Sequence, residues 1–118
     1  MSRTFAVALV VLAAVAVAAS ATASRPRIVV RPRTVALGGT VRVSGNAGTC
    51  TVGDTVTLIS GAFPGHAFGR GTLSGLVRAG HSFSVVGRVP ANVPAGRYSV
   101  SGRCGGGNLG VAATIRVG

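Results

Sequence analysis

The amino-acid sequence predicts an all-β chain, a seven-stranded antiparallel two-sheet sandwich behind a cleaved leader. Three observations carry that expectation. Short runs rich in Val, Thr, Ile and Ser alternate apolar and polar residues with period two. Glycines and prolines, 19 and 5 in number and all beyond residue 23, separate those runs at the intervals of sandwich strands and turns. No apolar spacing of helical period follows residue 23.

The leader comes first. A single cation, Arg3, precedes an apolar stretch from Phe5 to Ala19 and the small residues Ser20-Ala21-Thr22-Ala23, the three-part pattern of a secretory signal. A spanning helix needs about 20 apolar residues, and this run is shorter. Residues 1–23 are therefore expected to be a signal peptide and 24–118 the mature domain, secreted and extracellular or associated with the cell envelope, without a membrane span. A mature chain of this size makes one domain.

Within it, strands are expected at 27–31 with a continuation at 34–37, then at 40–45, 55–60, 71–78, 81–89, 96–104 and 110–117. Pro26 and Pro32 confine the first to a sheet edge, because proline cannot donate to a central ladder. Gly38-Gly39, Gly53-Asp54, Ala79-Gly80 and Gly105-Gly106-Gly107 mark turns that tolerate positive φ. Alternation assigns the faces: Val41, Val43, Val56, Leu58, Phe83, Val85, Tyr98, Val100, Val111, Ala113, Ile115 and Val117 point inward. Arg42, Arg88, Arg97, Arg103 and Arg116 point outward, divided between both sheets.

Cys50 and Cys104 lie in the exported part, where an even count reads as a disulfide rather than a metal or redox pair. With aromatic residues at only 4% of the chain, the core is modest and the staple matters, contributing roughly 4 kcal/mol for a loop of this length.

Charge is the most unusual property. The whole chain carries +11 from 12 cationic residues and one acid, Asp54; without Arg3, the mature domain holds eleven arginines and 11 − 1 = +10. Such a surface favours anionic partners. Arg25, Arg27, Arg31 and Arg33 crowd an N-terminal Arg-Pro-Arg repeat, read as an extended basic arm able to pair with phosphate, sulfate or carboxylate. A glycine-rich segment at 61–75 adds Phe63, His66, Phe68 and Arg70 as loop contacts, with the alternative that both phenylalanines fold back to cap the core.

Chemistry beyond binding has little to work with. One carboxylate, two histidines (His66 and His81) and no lysine supply neither a nucleophile with its base nor a metal set at usual spacing. The chain is read as a non-enzyme with no cofactor and no metal. Asp54 is read as a turn residue and the histidines as solvent-facing.

Several stretches together carry a resemblance. They are 35–45 (VALGGTVRVSG), Cys50 ahead of 53–58 (GDTVTL), 82–85 (SFSV), and 93–100 (VPAGRYSV) leading to Cys104. They resemble bacterial Ig-like (immunoglobulin-like β-sandwich) modules of secreted and surface proteins in high-GC bacteria, over nearly the whole mature chain. The resemblance implies an Ig-like strand order, in which the two cysteines meet at one end as a rim staple, and places Tyr98 where such folds have a tyrosine corner. It implies a fold far more than a function. The group of apoproteins similar to neocarzinostatin matches in size and strand plan only, since their second disulfide has no counterpart here.

Two functions follow as expectations: a module binding anionic polymers of the envelope or surroundings through an arginine-rich surface, or a module binding an extracellular protein through 61–75 and 105–108. Either is expected to act as a monomer or weak oligomer.

Overall fold

The computed structural model describes residues 25–118, so the signal-peptide segment lies outside the described residues. The alternation seen in the sequence becomes eight strands: β1 (Arg27–Arg31), β2 (Thr34–Val35), β3 (Thr40–Asn46), β4 (Thr55–Ser60), β5 (Gly71–Leu76), β6 (Ser82–Arg88), β7 (Gly96–Cys104) and β8 (Gly107–Val117). Two short 3-10 turns, Ala67–Gly69 and Ala79–His81, are the described helical pieces. The fold is all-β.

The strands form a three-stranded sheet, β1-β3-β6, and a five-stranded sheet, β2-β8-β7-β4-β5. Between β1 and β2 the chain crosses from one sheet to the other at Pro32, whose peptide bond with Arg31 is cis. The expected single first strand is therefore two, bringing seven strands to eight. The expectation of purely antiparallel pairing also needs correction: β2 runs parallel to β8, through Thr34↔Arg116 and Val35↔Val117. Proline supplies no donor, so pairing with the first sheet stops at Arg31 and the freed segment pairs anew.

The two sheets share one core. Val41, Val43, Val56, Leu58, Phe83, Val85, Val100, Ile115 and Val117 belong to a single buried cluster, and Tyr98, Val111 and Ala113 pack against it half-buried. These are the positions that period-two alternation assigns inward. β1 lies alongside β8 and β5 alongside β6, so both lateral seams of the structure are closed by neighbours. At the second seam a Cβ on Gly87 would collide with the Leu73 side chain.

Antiparallel pairing gives the structure two ends. The connection 47–54, the turn 77–81 and the two-residue hairpin at Gly105-Gly106 share one end, where Cys50 and Cys104 form a disulfide with Cα atoms 6.1 Å apart. The loops 61–70 and 89–95 share the other.

Candidate functional site

β1, β3 and β6 bury one residue in two, which sends the others to a common outer face. Register then decides which side chains meet. Arg27 lies opposite Asn46, Val29 opposite Ser44, and Arg31 opposite Arg42. Across the next ladder, Arg42 lies opposite Val86, Ser44 opposite Ser84, Asn46 opposite Ser82, and Thr40 opposite Arg88. Four arginines of three different strands thus share one face. Arg78, just before the turn into β6 and bridged to Ser82, joins Arg27 at its lower edge, and a shallow depression there is lined by Arg27, Arg31, Arg78, Ser44 and Ser84.

Some of these guanidinium groups are held in place. Arg42 Nη1 donates to Ser84 Oγ at 2.7 Å, and Arg88 Nε donates to the Gly38 carbonyl at 3.0 Å. Each bond uses one of five donors, leaving the rest for a ligand. Arg31 faces Arg42 directly, and like charges at opposed strand positions repel by about 0.2–1 kcal/mol. The chain's single acidic side chain, Asp54, stands at the start of β4 in the other sheet, beside Thr57 and Arg103. Nothing anionic in the described chain neutralises the arginine face.

The arginine-rich arm expected from the sequence is divided by the fold. Arg27 and Arg31 belong to an edge strand and share the outer face, Arg25 is exposed ahead of β1, and Arg33 lies beyond Pro32 at the seam against β8. There it sits near Arg116, whose amide donates to the Arg33 carbonyl and which faces Arg97 across the β7–β8 ladder. This second cluster is smaller and lies on the five-stranded sheet. Arg42, Arg78 and Arg88 are the members of the first face that N-terminal crowding did not single out. Alternation put Arg42 and Arg88 outward, but only register shows that they meet Arg31.

The aromatic loop is also divided. Phe63 is 3% exposed and part of the core cluster, so it caps that end of the core and is not presented as a contact. The side chain of Phe68 lies outside what the structure describes. His66 and Arg70 are exposed and line a cleft with Pro90, Asn92 and Pro94. The hairpin turn at Gly105-Gly106 is at the opposite end, and Asn108 accepts from Arg103 Nη1 at 3.2 Å. The two candidate loops therefore form no common surface.

His81, read from the sequence as solvent-facing, is half-buried and also makes structural contacts. It adopts a left-handed backbone (φ 62°), its Nδ1 lies 2.7 Å from the Cys50 carbonyl oxygen, and its own carbonyl accepts from Ala47 N at 2.7 Å. A carbonyl offers no proton, so Nδ1 is the donor. Cys50, Asp54 and Cys104 bring three metal-ligating atoms within 4.8 Å of one another, but both sulfurs are committed to the disulfide, which leaves one carboxylate. Among the described residues no helix is long and apolar enough to cross a membrane.

No family model matches the chain, and no curated protein does. Among solved structures, the Pseudomonas fluorescens alkylpurine DNA glycosylase AlkC, bound to DNA containing an abasic site analog, is similar at a TM-score of 0.49 and 17% identity, over 77% of this chain and 29% of that one. A likeness at that level carries no argument about this chain.

Proposed function

We propose that this chain is an exported, non-enzymatic Ig-like module that binds anionic polymers of the cell envelope or its surroundings on the outer face of its three-stranded sheet. The observation that carries the reading is the convergence of Arg27, Arg31, Arg42, Arg78 and Arg88 on one face, in a chain whose one acidic side chain lies on the other sheet. Arginine presents a planar fork of donors suited to phosphate and similar oxyanions. A like-charge pair held inside a folded face is a local conflict of the kind proteins retain at functional sites.

The Ig-like assignment draws on two features. The order β1-β3-β6 against β8-β7-β4-β5 parallels the A-B-E and G-F-C-C′ sheets of Ig-like folds. Tyr98, at the start of β7, donates its hydroxyl hydrogen bond to the Pro94 carbonyl four residues upstream, as a tyrosine corner does. Export is consistent with the leader and with the disulfide, which persists in oxidising compartments.

Retention of the oxidised protein on an immobilised polyanion, eluted by salt, tests the reading. The folded protein should elute well above a reduced, unfolded sample of the same charge. Replacing Arg31 and Arg42 with Gln should lower the elution salt more than replacing Arg97 and Arg116. Binding that persists unchanged above about 0.5 M salt, where exposed charges are largely screened, would sink the proposal.

A further inference from the structure

The chain's one acidic side chain stands beside its one disulfide. A carboxylate oxygen of Asp54 and the sulfurs of Cys50 and Cys104 all lie within 4.8 Å of one another. Turn chemistry does not account for that placement. The turn is closed by backbone groups, Asp54 N donating to the Thr51 carbonyl at 3.0 Å and Val77 N donating to the Asp54 carbonyl at 2.8 Å. The Asp54 side chain is exposed, and its carboxylate makes no hydrogen bond or ion pair with the described residues.

The disulfide is a vulnerable point in so basic a molecule. Both cysteines are half-buried and border an open depression with Gly48, Thr49 and Asn108, whose lining carries no charged side chain. Small thiol reductants attack as thiolates, and a net charge of 11 − 1 = +10 on the mature domain draws anions toward its surface. Arg103, next to Cys104 in the chain, adds to that attraction. It lines a depression with Asp54, and its Nη1 and Nη2 donate to Asn108 Oδ1 and to the Gly106 carbonyl. In thiol–disulfide exchange a thiolate attacks one sulfur, a new S–S bond forms, and the Cys50–Cys104 bond breaks. The other cysteine leaves with the electron pair as a thiolate and takes a proton from solvent. A second thiolate then releases the first cysteine, so two thiolates are oxidised to one small disulfide while the protein is reduced to two thiols. Negative charge is spread over the sulfurs at each transition state, and the Asp54 carboxylate repels it.

We infer that Asp54 is an electrostatic guard of the Cys50–Cys104 disulfide, slowing attack by the anionic thiolates that an arginine-rich surface gathers. The protection is kinetic. It acts on a charged transition state, while the disulfide and the protonated thiols at either end of the reaction carry no charge at sulfur. Its size is about fourfold in rate, the repulsion between unit charges about 5 Å apart in bulk water.

The test treats the oxidised mature protein and its Asp54→Asn variant with 2-mercaptoethanesulfonate, 2-mercaptoethanol or cysteamine at equal thiolate concentration, and follows loss of the disulfide by mass spectrometry after acid quenching. Asparagine suits the same turn. The variant should react about fourfold faster with 2-mercaptoethanol. Its gain should be larger with the sulfonate, whose thiolate form is a dianion, and smaller with cysteamine, whose ammonium offsets the thiolate. These differences should shrink in about 1 M salt, where the Debye length is about 3 Å. Thr114→Lys raises the net charge by the same unit on an exposed part of β8 toward the opposite end, and should react at nearly the unmodified rate. Equal acceleration with all three thiols, persisting in high salt, would mean that the substitution opens the fold locally and would overturn the inference. So would an unchanged rate, or a Thr114→Lys variant as fast as Asp54→Asn, which would assign the effect to net charge alone.

Discussion

At His81 a single residue does the work of two. Its left-handed backbone lets the chain turn into β6, and its ring ties down the connection that carries Cys50. His81→Gly keeps the backbone and loses the ring contact; His81→Ala loses both. The alanine variant should therefore melt below the glycine variant, by about 1 kcal/mol in stability, which differential scanning calorimetry reads directly. Phe63→Ala should cost about 3–5 kcal/mol as a buried aromatic truncation. An unchanged denaturation midpoint would place that ring outside the core. Tyr98→Phe removes one hydrogen bond and should cost about 1 kcal/mol.

At the scale of the element, the three-stranded sheet bears an arrangement that its own stability does not favour. Arg31 and Arg42 face each other with no carboxylate between them. Replacing Arg31 with Thr should raise stability by a few tenths of a kcal/mol up to about 1, by removing cross-strand repulsion and inserting a residue suited to strands while leaving the Arg42–Ser84 hydrogen bond in place. The same change should weaken polyanion retention. A variant that gains in both would separate the charge pair from binding. At the seam between the sheets, Leu73 covers Gly87, and Gly87→Val should cost about 1–3 kcal/mol through overpacking, read as a lowered denaturant midpoint.

For the whole molecule, the disulfide joins residues 54 apart in sequence and links the connection between the two sheets to the end of β7. Reduction should lower stability by about 4 kcal/mol in the chain-entropy account, a large share of what a small domain possesses. Chemical denaturation with and without reductant measures it. Because the arginine face depends on strand register, loss of the fold should also reduce retention on polyanions toward that of an unfolded chain of equal charge.

Much of the fold was legible because strand period is a local property. Alternation between apolar and polar residues places Val41, Val43, Val56 and Leu58 inward without knowledge of their partners, and the glycines mark where the chain turns. The cysteine pair followed from count and compartment. The parallel pairing of β2 was not legible, since it depends on which strand lies beside Thr34-Val35 once Pro32 has ended the first ladder. The candidate site was legible only in part. Composition determined that the surface is basic, and alternation that Arg42 and Arg88 face outward, but proximity in sequence grouped Arg33 with Arg27 and Arg31. The fold separates Arg33 and brings in residues 42, 78 and 88 instead. Charge and period belong to the chain alone, whereas which charges become neighbours is set by register between strands distant in sequence, and that only the tertiary structure decided.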